Sequence, residues 1–192
     1  MSSLGGGSEK RTYAITPDPT LGVTVLGRYR LVRYLAKGGM GSIYLGRAEG
    51  AAGFARPVVI KRALRAGDSQ AEKMFAREAR ILSRLHHPCI LSIIDFAQEG
   101  GDYVMVLEYV HGYTLSEWSR FLRRRGQPMP VAHAVHVMIN VLDALEYAHG
   151  LTDEHGTPLG IVHRDIKPSN VLLDVTATSS WPTSASRAPT AT

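Results

Sequence analysis

Residues 163–170 read "HRDIKPSN", the run of this chain most crowded with groups that can carry chemistry. Asp165, Lys167 and Asn170 stand at offsets of two and five, between a helical pattern closing near His149 and the apolar run Val171–Leu173. The span holds a carboxylate able to accept a hydroxyl proton, an ammonium suited to a phosphoryl group in transit, and a carboxamide oxygen of the kind that holds Mg2+. A lone His-Arg-Asp would mean little. Its weight depends on what the chain carries upstream.

Upstream lie two further elements. Lys61 closes "VVIK" (58–61), and Glu78 sits in a segment, Ser69 to Leu85, with apolar residues at 74, 75, 81, 82 and 85. That spacing predicts an amphipathic helix. Glu78 falls four residues from 74 and three from 81, so it points with the apolar stripe rather than with Arg77 and Arg80. A buried carboxylate needs a partner, and a lysine ending the adjacent strand is the economical one. The alternative, a solvated Glu78 at the stripe's edge, stays open on these residues alone. Before both comes "KGGMG", residues 37–41, between predicted strands ending at Leu35 and starting at Ile43. Glycines there let a hairpin bring backbone N–H groups against phosphate oxygens, and an ordinary glycine turn without a ligand reads equally well.

The surrounding pattern gives the architecture. Residues 29–50 read as strand, glycine turn, strand, and "RPVVIKRAL" (56–64) as a third strand, together an antiparallel meander. "HHPCILSIIDF" (86–96) and "DYVMVLEYV" (102–110) are two more strand-like runs. From there the pattern turns helical: "TLSEWSRFLRRRG" (114–126), then Val131 to His149 with apolar positions 131, 134, 135, 138, 142 and 145. Strands with one helix followed by helices predict an α+β fold in two lobes, 28–109 and 110–174. Residues 1–27, with their glycine, serine and proline, are expected to form a mobile leader ending in a first strand, packing beginning near Arg28.

Composition narrows the class. At 192 residues and 44% hydrophobic content, the chain is long enough for a real core. A net charge of +5 suits anionic partners such as phosphates without amounting to a nucleic-acid footprint. The single cysteine, Cys89, excludes an internal disulfide framework and fits a reducing compartment, so a cytoplasmic location is expected. No apolar run approaches the ~18 residues of a membrane span.

The glycine hairpin, strand lysine, helix glutamate and "HRDIKPSN", arriving in that order, are the motif set of protein kinases. From about Arg28 to Asp174 the sequence resembles bacterial serine/threonine protein kinases of the eukaryotic-like type. The resemblance implies ATP and Mg2+ as cofactors and proteins as substrates. It implies that Leu35, Ala36, Lys37, Gly38, Gly39, Met40, Gly41, Ser42 and Ile43 cover the ATP phosphates, that Lys61 contacts the α- and β-phosphates, and that Glu78 is its ion-pair partner. It makes Leu107 the gatekeeper, and Glu108 to Val110 the hinge that meets adenine. Asp165 becomes the catalytic base, Lys167 the residue stabilising the transferring phosphate, and Asn170 an Mg2+ ligand. Lysine two residues after the aspartate resembles serine/threonine rather than tyrosine kinases.

Four departures accompany it. Ala36 stands where the family's first loop glycine belongs. "TDEHGTPLG" (152–160) lengthens the approach to the loop and reads as a surface turn. "RFLRRRG" (120–126) reads either as a solvated helix end or as a basic docking patch. After Leu173 the family continues with a strand and an Asp-Phe-Gly whose aspartate binds Mg2+, whereas residues 176–192 hold threonine, serine, alanine and proline with one tryptophan and one arginine. Such a tail is expected to be disordered and the chain inactive. Shifting the frame of Ala177 to Pro189 one base upstream allows synonymous codons that encode Gly-His-Val-Lys-Leu-Ala-Asp-Phe-Gly-Ile-Ala-Arg-Ala, so a frameshift is the expected origin; a genuine serine/threonine-rich tail is the alternative.

Overall fold

A computed structural model of the chain describes residues 20–38, 41–63, 69–175 and 186–187. Six strands form one antiparallel sheet: β1 (Thr24–Val25), β2 (Tyr29–Gly38), β3 (Gly41–Glu49), β4 (Ala55–Ala63), β5 (Ile93–Glu99) and β6 (Asp102–Glu108), in the order β1-β2-β3-β4-β6-β5. β2, β3 and β4 make the predicted meander, with β1 added at its outer edge. β6 then inserts beside β4 and leaves β5 at the edge, because the helix α1 (Ser69–Leu82) carries the chain across one face before β5 begins.

Both faces of the central strands are covered. Val58 and Ile60 of β4 with Val104 and Val106 of β6 pack against Val25, Tyr29, Leu31 and Tyr44 on one side. Met105 and Leu107 point the other way, into a core with Phe75, Ala79 and Leu82 of α1 and Ala144 and Ala148 of helix α3 (Val131–His149). This second core ties the two parts of the chain together by burying apolar surface from both.

Several sequence expectations change. Packing starts upstream of Arg28: Val25 is buried, and the first strand expected at the end of the leader, β1, pairs with β2 across a three-residue loop, Leu26 to Arg28, in which Leu26 and Gly27 have positive φ. Arg28 N–H donates to the Val25 carbonyl across those two residues, a turn that glycine favours. The helix ends at Leu82 rather than Leu85, and its buried stripe is Phe75, Glu78, Ala79 and Leu82, while Met74 is exposed. "HHPCIL" is not strand, although Cys89, Ile90 and Leu91 are buried; Pro88 supplies no ladder donor and β5 begins at Ile93.

In α3 the predicted limits hold, but the apolar positions chosen as its stripe are largely the exposed ones. Val131, Val135, Met138 and Leu142 face outward with Ile139, while Val137, Val141, Ala144 and Ala148 are buried. The helix is apolar on two faces, so period alone could not choose between them.

Helix α2 (Leu115–Arg124) starts on a capping box: Glu117 N–H donates to Thr114 Oγ1, and the Glu117 carboxylate accepts from the Thr114 N–H. Its basic end is exposed, with the Arg125 guanidinium over the Phe121 ring. That geometry fits the solvated-end reading of 120–126.

A second sheet, β7-β8-β9, joins β7 (Gly112–Thr114), β8 (Leu172–Asp174) and β9 (Ser186–Arg187). Against the expectation of a disordered tail, Ser186 and Arg187 pair with Leu173 and Leu172, and Val175 N–H donates to the His111 carbonyl. The remaining tail, the codon-shifted segment before Ser186, residues 1–19 of the leader, and Gly39 and Met40 lie outside the described residues. Among the described residues no helix is long and apolar enough to cross a membrane.

Candidate active site

The first half of the site is a row across the sheet. Strand register places Ala36 opposite Ile43, Ile43 opposite Lys61, and Lys61 opposite Met105, and directly paired residues share a face. Lys61 therefore projects toward α1, below the β2–β3 hairpin. The hairpin is tighter than predicted, with Gly38 paired to Gly41. A Cβ at Gly41 would run into the Arg62 carbonyl, so this glycine is required by backbone approach. Leu35, Ala36 and Lys37 are exposed, and Ser42 and Ile43 half-buried.

Lys61 Nζ donates to both carboxylate oxygens of Glu78, at 2.8 and 2.7 Å. Their side chains are 17% and 5% exposed, which settles the open question in favour of a buried pair. The Phe75 ring lies 5.5 Å from Nζ, one helical turn before Glu78. Phe75 is thus a site neighbour missed in the sequence, although its offset of three from Glu78 places it on the same stripe.

Beyond β6 the chain leaves the sheet. Leu107 is buried in the core, while Val110 is half-buried. Glu108 Oε1 accepts from the Ser92 N–H at 2.6 Å, so its carboxylate anchors the start of β5 instead of facing a ligand.

The second half is the loop 163–170. Val171 and Leu173, buried against Val137 and Val141 of α3, pin its far end, and Leu115 N–H donates to the Val171 carbonyl. On its near side the 152–160 stretch is the expected surface turn, closed by a bridge between Thr152 and Pro158, with Asp153 Oδ1 accepting from the N–H groups of His155 and Thr157.

Between these anchors Arg164 takes a left-handed conformation, φ 62°, and Asp165 N–H points back at the His163 carbonyl (2.9 Å) and Nδ1 (3.3 Å). His163 is the other neighbour overlooked in the sequence, since nothing in a spacing reveals a backbone hydrogen bond. Strain of this kind accumulates where a side chain must be aimed.

Asp165, Lys167 and Asn170 do come together. Asp165 Oδ2 lies 2.7 Å from Lys167 Nζ, and Asn170 Nδ2 donates to Asp165 Oδ2 (2.8 Å) and to its carbonyl (2.9 Å). The hydrogen bond from Lys167, then that from Asn170, outweigh desolvation and hold the Asp165 carboxyl below its ordinary pKa. The group is therefore ionised at neutral pH, a ready acceptor for a hydroxyl hydrogen.

A hard divalent cation such as Mg2+ takes oxygen ligands. Asn170 can meet that demand, because its Nδ2 is the atom that Asp165 engages and its Oδ1 is the amide's oxygen. A cavity of about 490 Å³ is lined by Glu78 from α1 and by Gly160 to Val162 and Arg164 from the loop. Lys61, Asp165 and Asn170 do not line it.

Residues 29–179 match the family described as protein kinase domain. The chain is 41% identical over 149 residues to the tyrosine-protein kinase MasK of Myxococcus xanthus, covering 77% of this chain and 23% of that protein. To the serine/threonine-protein kinase PrkC of Bacillus subtilis it is 38% identical over 156 residues, covering 80% and 22%. Among solved structures it resembles the PknI kinase domain of Mycobacterium tuberculosis, with a TM-score of 0.63 and 28% identity, over 88% of this chain and 59% of that one. The chain thus spans less than a quarter of these curated relatives.

Proposed function

Because the chain belongs to the protein kinase domain family, we propose that it carries the ATP-binding lobe and catalytic loop of an enzyme transferring the γ-phosphate of ATP to serine or threonine hydroxyls of proteins in the cytoplasm. The observation that carries this reading is the closed Lys61–Glu78 pair: a half-buried lysine held by both oxygens of one buried glutamate is aimed rather than mobile. Lys61 is assigned to the α- and β-phosphates, with the backbone from Leu35 to Ile43 covering them. Asp165 takes the hydroxyl proton, Lys167 steadies the moving phosphoryl group, and Asn170 is the residue that would hold Mg2+, which supplies charge neutralisation when bound. Lysine at 167, two residues after Asp165, supports hydroxyl acceptors of the serine/threonine kind; the tyrosine-kinase name of one relative belongs to that protein.

A second reading applies to these 192 residues taken by themselves. They contain no Asp-Phe-Gly after Asn170, so the metal lacks its carboxylate ligand and the polypeptide binds nucleotide without turnover. Fluorescent ATP-analogue binding to the chain tests the shared premise. Lys61→Met should weaken binding by roughly ten- to a hundredfold, the scale of a hydrogen bond to a charged group. Equal affinity in the variant and the parent overturns the nucleotide site.

A further inference from the structure

Away from the Lys61 and Asp165 groups, the connection from α1 to β5 meets α3 through metal-ligating side chains. His87 Nε2 lies 3.2 Å from Asp143 Oδ2. The ligand atoms of His87, Cys89 and Asp143 are all within 4.8 Å of one another. Asn140, three residues before Asp143 on the same helix face, has its Oδ1 3.4 Å from Cys89 Sγ. These groups are oriented by their surroundings. The His87 ring stacks on Tyr147 at 5.0 Å, Asn140 Nδ2 donates to the His136 carbonyl, and Cys89 is buried in the core joining α1 to α3.

We propose that His87 Nε2, Cys89 Sγ and the Asp143 carboxylate form a site for a borderline-soft divalent cation of the zinc class, with Asn140 Oδ1 or water as fourth ligand. One nitrogen, one sulfur and one carboxylate oxygen suit zinc, whereas Mg2+ and Ca2+ take oxygens. Tetrahedral ligands at the usual zinc distances stand about 3.3–3.8 Å apart. His87 and Asp143, at 3.2 Å, stand about 0.1 Å inside that spacing, and Cys89 needs a movement of about 1 Å or less. A thiolate and a carboxylate together neutralise the cation.

Binding releases the Cys89 thiol proton and leaves the remaining imidazole proton of His87 on Nδ1, which gives up the 3.1 Å contact accepted from the Cys89 N–H. The filled site staples the α1–β5 connection to α3. It stands independently of the phosphoryl-transfer reading, since it shares no residue with it.

Cobalt titration of the reduced 192-residue chain, followed by zinc displacement, tests the site. Cys89 is the sole cysteine, so a sulfur-to-cobalt charge-transfer band reports that residue alone. One equivalent of Co2+ should bind with this band, and Zn2+ should abolish it. Cys89→Ser should remove the band, and His87→Ala or Asp143→Asn should weaken affinity by at least about tenfold. Asp143 is exposed on α3, so its variant keeps the fold if Cys89→Ser disturbs the core. Cobalt binding without a sulfur band, or equal affinity in Asp143→Asn, overturns the proposal and leaves an ordinary histidine–aspartate pair.

Discussion

Asp165 shows how one carboxylate is set by its immediate partners. Lys167 and Asn170 both act on Oδ2, so the ionised form is favoured and the carboxyl titrates below the usual range. In a longer polypeptide carrying these residues together with an Asp-Phe-Gly, Lys61→Met, Asp165→Asn and Asn170→Ala should each lower phosphate incorporation into a protein substrate by roughly a hundredfold or more; unchanged turnover in Asp165→Asn sinks its assignment as base. Asp95 offers a stability test by the same logic. Burial alone would raise its carboxyl, but the Arg28 guanidinium and the Tyr29 hydroxyl, both 2.9 Å away, outweigh that and lower it. A carboxyl depressed in the folded state stabilises above its unfolded pKa, about 3.9, and loses that contribution as pH falls through the lower folded value. Acid unfolding followed by circular dichroism should therefore separate the parent from Asp95→Asn at neutral pH and bring them together at the acid end. A constant difference across the range counts against the network. Residue types and offsets made Lys61, Glu78, Asp165, Lys167 and Asn170 legible in advance, because side-chain chemistry is written locally. The anchoring of Glu108 on Ser92 was not, since it depends on where β5 starts.

Individual elements were legible in proportion to how local their causes are. The capping box at Thr114 and Glu117 is a spacing of three residues, and Thr114→Ala should cost about 1 kcal/mol in chemical denaturation. No loss would mean that tertiary packing alone holds the start of α2. Leu173 is different, for its burial against α3 comes from chain distant in sequence. Leu173→Ala should cost about 2–5 kcal/mol by leaving a cavity and should loosen the loop 163–170, read as faster amide exchange at Asp165. The limits of α3 were readable from its apolar period, yet its buried face was not, since apolar residues occupy both sides and only the partners supplied by α1 and β8 choose between them.

For the whole molecule, the outward face of α3 matters most. Val131, Val135, Met138, Ile139 and Leu142 are each at least half exposed on one helix. Apolar surface concentrated in that way promotes association. Light scattering during size-exclusion chromatography should show the chain forming oligomers as concentration rises, with Ile139→Lys and Leu142→Lys shifting it toward monomer; a monomer at all concentrations counts against this. The two-part α+β order, the glycine hairpin, and the residue types at Lys61, Glu78 and 163–170 could be read from short stretches, because propensity, periodicity and side-chain chemistry are local. The closing of Lys61 on Glu78, the insertion of β6 beside β4, the exclusion of "HHPCIL" from the sheet, the face α3 buries, and the meeting of His87, Cys89 and Asp143 came with the assembled fold. Those outcomes turn on contacts between segments far apart in the chain, whose free energy appears only when the surfaces are brought together and water leaves them.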